Sequence, residues 1–188
     1  MMWSAVEFSH RFVREFAVQA LVAFDATVGN GGDTEFLLSV VAEDGIVFGT
    51  DVQQTALDSA GQLLQQTPFT NYTLFNRSCT EVLVCMQELG VETLDIVMMN
   101  CGYLPGGDKA ITTNAHDTVL TIERCCNVLA VGGVLSVVVY PGHEAGASEA
   151  QAVEQFVRQL SPKQFQVCTY GAVNMMRSPQ CYMVQRLR

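Results

Sequence analysis

Residues 21–36 read LVAFDATVGNGGDTEF: an apolar run, an acid, a glycine-rich turn and the opening of a helix. Leu21, Val22, Ala23 and Phe24 suit a central parallel strand, which is covered on both faces and so carries no polar alternation. Asp25 ends that run. Gly29, Gly31 and Gly32 let the backbone turn tightly and come close to a ligand, because no Cβ stands in the way. Asp33 and Thr34 are candidates to cap the following helix, whose first turn leaves backbone N–H groups without partners. A strand, a glycine turn and a helix, with an acid at the strand end, predict a site for a nucleotide-type cofactor.

Outward from this stretch, strand-like runs alternate with helical stripes. Residues 4–19 place Val6, Phe8, Phe12, Val13, Phe16 and Ala17 mostly at helical spacing, which predicts a lead helix covering one face of a sheet. After the glycine turn come a short helix over 34–41, a strand over 46–50 ending at Asp51, and a helix over 53–66. A strand over 72–75 and a helix over 81–89 follow. The next strand, 94–99, ends at Asn100 and opens into the Gly- and Pro-bearing loop 101–114, long enough to be functional rather than a connector. Helix 117–129 comes next, Gly132-Gly133 turns into strand 134–140, and helix 148–160 is amphipathic. Segments 165–170 and 181–187 read as a closing hairpin. The alternation predicts an α/β fold with a doubly wound, mostly parallel sheet whose edge turns antiparallel. No repeat, linker or low-complexity tract interrupts it, so one domain over 1–188 is expected.

Composition sets the class. Of 188 residues, 49% are hydrophobic and 15% charged, the balance of a globular chain with a sizeable core. No apolar run reaches the ~18 residues of a membrane span, and no secretory signal is recognisable, so no membrane partner is expected. Seven cysteines without a CxxC pair read as buried free thiols, and a reducing cytoplasm is the simplest location for them. No group of residues has metal-ligand spacing, so no metal is expected; His10 and His116 read as surface or capping residues. The net charge of −9 argues against holding nucleic acid by bulk electrostatics. A local basic patch stays open, with Arg11, Arg14, Arg186 and Arg188 as candidates.

The glycine turn discriminates among cofactors. A dinucleotide fingerprint needs GxGxxG, and Thr34 stands where its third glycine belongs. A phosphate-binding P-loop needs GK[ST], which is absent. D-x-x-x-G-x-G from Asp25 to Gly31, with a second acid, Asp51, at the next strand end, resembles class I S-adenosylmethionine-dependent methyltransferases. That resemblance implies a Rossmann-like, seven-stranded sheet with an antiparallel closing strand. It also implies that the turn passes under the methionine and ribose of the cofactor, and that Asp51 accepts bonds from both ribose hydroxyls, a role suited to a two-oxygen acceptor. The plainer reading makes Asp25 and Asp51 helix caps and the glycines mere turn formers. Asn100-Cys101-Gly102-Tyr103 is similar to the (Asp/Asn)-Pro-Pro-Tyr motif of amino-group methyltransferases, with Cys-Gly in place of Pro-Pro. An amide oxygen there can accept the N–H of a target amine and aim its lone pair, and an aromatic ring gives a flat base or a developing cation a surface. Taken alone, the tetrad fits a turn and a packed tyrosine at least as well.

Longer motifs narrow the resemblance. DATVGNGGDT at 25–34, GYLPGGDKAITTN at 102–114, VYPGH at 139–143 and YGAVN at 170–174 together resemble the YtqB-like rRNA methylase family, from about residue 8 to the C-terminus. Members of the MnmM type methylate the aminomethyl group of wobble 5-aminomethyl-2-thiouridine in tRNA, which implies a tRNA anticodon loop as partner and a homodimer. The resemblance assigns Asp25, Thr27, Gly29, Asn30, Gly31, Asp33 and Thr34 to the amino-acid and ribose end of S-adenosylmethionine. Asp51 and Gln53 fall to its ribose and adenine side, with Ser78 and Cys79 bordering the adenine. Asn100, which also falls among the cofactor-binding residues, and Tyr103 would hold the target amine, and Asp108 would orient it. Gly102, Lys109, Thr112 and Asn174 fall on the substrate side, with Lys109 a candidate for a phosphate. His143, after the fifth strand, is either a base for the amine proton or a residue that hydrogen-bonds the neighbouring loop, since proton loss to solvent could suffice. Where the family usually has Ser-His after the third strand, this chain has Ser78-Cys79. Action on rRNA or a small-molecule amine, and a non-catalytic binding module, stay open as alternatives.

Overall fold

The computed structural model describes residues 2–16, 19–102, 104, 112–175 and 177–188. The chain runs α1 (Ala5–Phe16), β1 (Val22–Asp25), α2 (Gly32–Leu38), β2 (Ile46–Asp51), α3 (Gln54–Leu64) and β3 (Tyr72–Asn76). A single 3-10 turn, Cys79–Glu81, leads into α4 (Val82–Leu89), β4 (Leu94–Asn100), α5 (Ala115–Val128) and β5 (Leu129–Val139). Then come α6 (Glu144–Gln159), β6 (Phe165–Tyr170) and β7 (Gln180–Arg186).

The strands form one seven-stranded sheet in the order β3-β2-β1-β4-β5-β7-β6, the doubly wound arrangement expected from the alternation. β1 pairs in parallel with β2 and β4, and only β7 runs antiparallel to its neighbours β5 and β6. Side chains alternate between the two faces, as the strand period requires. Phe24, Phe48, Val97, Met99, Leu135 and Val137 pack with Val82 of α4, Ile122 and Cys125 of α5 and Val153 of α6. Their sequence neighbours Ala23, Val47, Ile96, Met98 and Val134 pack on the opposite face with Val13 of α1, Leu37 of α2 and Leu64 of α3. Two covered faces explain why β1 reads as an apolar run up to Asp25 and β4 as one over residues 96–99. All seven cysteines are unpaired thiols.

Several boundaries differ from expectation for identifiable reasons. The buried stripe of α1 is Ala5, Ser9 and Val13 rather than its large residues, and Phe16 is 47% exposed. Small side chains let α1 lie close on the sheet, where the Ser9 and Ser136 hydroxyls meet at 2.7 Å. Ala17, assigned to the same stripe, lies outside the described residues. Gly132-Gly133 sits within β5, not ahead of it: Leu94 pairs with Leu129 but Ile96 with Val134, so the intervening residues bulge. α6 starts four residues earlier than its apolar pattern, at Glu144, because the His143 side chain caps it. In the turn after β1, Asp33 and Thr34 are helical residues of α2 and not its caps. The cap is Gly31, left-handed at φ 89°, with no side-chain bond.

Gly31 also marks where the turn meets α3. A Cβ built there would lie 2.9 Å from the Cα and Cβ of Ala60, in a backbone conformation that L side chains avoid. Gly31→Ala is therefore expected to lose about 1–3 kcal/mol of stability, read as a lower urea midpoint. A midpoint equal to the parent's would show that α3 yields freely at this contact.

Candidate active site

The parallel strands deliver their C-terminal ends to one edge of the sheet, and β1 and β4 part there to opposite sides of the strand order, the usual place for a ligand in such folds. A cavity of about 1000 Å³ opens at this edge. Its wall includes Thr27, Gly29, Asn30, Asp33, Asp51, Gln53, Ser78, Cys79, Asn100, Gly102, Thr112 and His143, bringing together most of the residues picked from sequence.

Asp25, Gly31 and Thr34 stand behind the wall and shape it. Asp25 is completely buried and accepts two bonds, from the Thr27 N–H at 3.1 Å and the Thr34 hydroxyl at 2.6 Å. It thereby ties both ends of the turn to β1. Burial, reinforced by the nearby Asp33 charge, pushes the Asp25 carboxyl up to about 7 against the two bonds that favour its ionised form. Asp51 does the matching work from β2: one oxygen accepts the Gly29 N–H and the other the Gln53 N–H, both at 2.9 Å. Each oxygen keeps acceptor capacity toward the cavity, an acceptor pair suited to a pair of ribose hydroxyls. Asp33, Asp51 and Asp117 all line the cavity, whereas the guanidinium of Arg77 is engaged 2.8 Å from Glu88. Such a wall favours a cationic cofactor, and the residues present fit S-adenosylmethionine.

On the opposite side, Asn100 is held at three points. Its backbone N–H donates to the Thr27 hydroxyl at 2.8 Å, its side-chain NH₂ faces the Asp33 carboxylate at 3.4 Å, and its side-chain oxygen accepts the Tyr140 hydroxyl at 2.8 Å. A carboxylate only accepts, so the amide has one sensible orientation. Burial pushes the Tyr140 phenol up to about 12, with Asp33 adding to the effect, so the hydroxyl remains a donor. Gly102 clasps Thr113 twice: its N–H donates to the Thr113 hydroxyl at 2.7 Å and its carbonyl accepts the Thr113 N–H at 3.0 Å. Tyr103, Asp108 and Lys109 lie outside the described residues.

Three sequence assignments look different in place. The Nδ1 of His143 accepts the Gly146 N–H at 3.1 Å, so the side chain caps α6. Cys79 accepts the Thr121 hydroxyl at 3.2 Å, and burial raises its thiol, so it stays neutral and cannot replace a histidine in proton transfer. Asn174 is exposed in the turn between β6 and β7 and does not line the cavity. His116 is exposed in the first turn of α5, as expected. His10, read as a surface residue, is half-buried and 2.7 Å from Asp33. Tyr140 was missed altogether. Its signal was its place after the apolar run 134–139, the same strand-end argument that singled out His143.

The raised Asp25 carboxyl has a pH signature. Its value in the folded chain lies above the ordinary 3.8, so the folded state binds the extra proton between about 3.8 and 7. Its contribution to stability is therefore full below that window and lost as pH rises through it. The thermal midpoint of the parent relative to Asp25→Asn is expected to fall from about pH 4 to about pH 7. A constant difference across that range would mean that Asp25 titrates normally.

Comparison with known proteins agrees with this geometry. Residues 47–186 match the family model described as “Putative rRNA methylase”. The chain is 30% identical over 186 residues to the “tRNA (mnm(5)s(2)U34)-methyltransferase, chloroplastic” of Arabidopsis thaliana, covering 93% of this chain and 66% of that protein, just under two thirds of its length. The crystal structure of a “putative rRNA-methylase” from Clostridium thermocellum superposes with a TM-score of 0.91 at 29% identity, over 99% of each chain. A “putative methyltransferase” from Streptococcus mutans, in complex with SAH, superposes with a TM-score of 0.87 at 29% identity, over 100% of each chain. The chain belongs to this rRNA methylase family of S-adenosylmethionine-dependent methyltransferases, and S-adenosylmethionine is its cofactor.

Proposed function

We propose that the protein methylates the aminomethyl nitrogen of wobble 5-aminomethyl-(2-thio)uridine in tRNA, giving methylaminomethyl-uridine. The observation that carries this reading is the Asn100 amide, whose oxygen takes the Tyr140 hydroxyl and has a second lone pair for a substrate N–H. The name of the Arabidopsis relative supplies the substrate.

When bound, S-adenosylmethionine supplies an electrophilic methyl on a cationic sulfur. The chain's own residues then do the positioning. Asn100 Oδ1 accepts one N–H of the neutral amine, which fixes the direction of the nitrogen lone pair. The acidic wall of Asp33, Asp51 and Asp117 favours an amine over a phenolate or carboxylate, whose charge it would repel. The amine arrives neutral, and its proton is released to solvent. The wobble base lies in a single-stranded loop and can be splayed out without breaking a duplex. With a net charge of −9, contact with RNA falls to local cations, and Arg14 of α1, which lies over the Phe36 ring of α2, is a candidate.

Purified protein, labelled cofactor and bulk tRNA lacking the terminal methyl test the proposal. Label is expected in tRNA and, after digestion, in methylaminomethyl-uridine. Asn100→Ala is expected to lower turnover about 100-fold while leaving SAH affinity within about threefold. Label entering rRNA or a small amine, with none in tRNA, would overturn the assignment.

A further inference from the structure

We infer that His10 is a positioning residue for the reaction, acting through Asp33 to hold the Asn100 amide; this rests on the role of Asn100 proposed above. The His10 ring stacks on Phe36 of α2 with centroids 4.0 Å apart and planes 3° from parallel. Its Nε2 lies 2.7 Å from Asp33 Oδ1. Asp33 and Phe36 are three apart on α2 and so share a face, which presents the stacking surface and the carboxylate together.

Distances decide which contact governs Asp33. Its other oxygen, Oδ2, meets the Asn100 NH₂ at 3.4 Å, beyond the usual range for a well-formed N–H···O bond. That contact cannot hold the carboxylate rotamer by itself. The 2.7 Å bond from His10 can, because it is short and its donor is fixed by the stack on Phe36. With Asp33 held, the NH₂ of Asn100 must face it and the amide oxygen must face Tyr140 and the cavity. Without the His10 donor, Oδ1 loses its fixed partner and the carboxylate is released to other rotamers. Asn100 then loses the group that dictates its orientation. His10 thus reaches the reacting nitrogen only through two intervening side chains.

Two substitutions separate this role from packing. His10→Phe retains a ring against Phe36 and removes the donor; His10→Gln restores an N–H donor without the ring. The first readout is the pair of side-chain NH₂ resonances of Asn100 in a nitrogen–proton correlation spectrum, identified by their loss in Asn100→Asp. They are expected to shift in His10→Phe and to return toward the parent position in His10→Gln. Turnover is expected to fall about tenfold in His10→Phe and to recover in His10→Gln. His10→Met serves as a second donor-free variant if the Phe variant does not fold. Unmoved Asn100 resonances in the donor-free variants, or a Gln variant displaced as far as they are, would overturn the inference. Absence of transfer to tRNA by the parent protein would sink the substrate assignment alone, since the resonances are read without turnover.

Discussion

One buried carboxylate sets the shape of the active edge. Asp25 sits fully buried at the end of the central strand, and its two bonds, to Thr27 and Thr34, tie the glycine turn to β1. Unpaired, such a group would be strongly unfavourable; bonded at both oxygens, it specifies where the turn begins and where α2 starts. Thr27 extends the effect across the sheet, because its hydroxyl receives the backbone N–H of Asn100. The glycine-turn side and the Asn100 side of the cavity are therefore linked through one short stretch of chain.

Around that anchor the site divides the labour between acids. Asp25 shapes the turn, Asp51 takes the Gly29 and Gln53 N–H groups, and Asp33 stands between His10 of α1 on one side and Asn100 on the other. Asp33 also raises Asp25, so the two carboxyls are electrostatically aware of each other. A cavity with this wall is matched to cations. That fits a cationic cofactor in an acidic chain without a surplus of Lys and Arg.

The fold was largely legible in the sequence because its strands are covered on both faces and so appear as apolar runs. The exceptions were local. Ser9 belongs to the buried stripe of α1 because a partner hydroxyl, Ser136, comes from a strand far away in sequence. The Gly132-Gly133 bulge depends on how β5 registers against β4, which no single segment reveals. For the site, motif spacing identified the cavity wall well, since strand ends and glycine turns are local features. It could not separate residues that face the cavity from those that brace it, as with Asp25 and Thr34. Nor could it find Tyr140 and His10. Both act through contacts between elements distant in the chain, and His10 lies on a helix whose stripe looks merely amphipathic.

Wobble nucleosides from cells lacking the protein test the central claim most directly. If the Asn100 side of the cavity receives the aminomethyl nitrogen of tRNA, mass spectrometry of those nucleosides will show 5-aminomethyl-uridine or its 2-thio form accumulating and the methylaminomethyl product gone. An unchanged wobble profile, with a methyl missing from ribosomal RNA instead, would contradict the account.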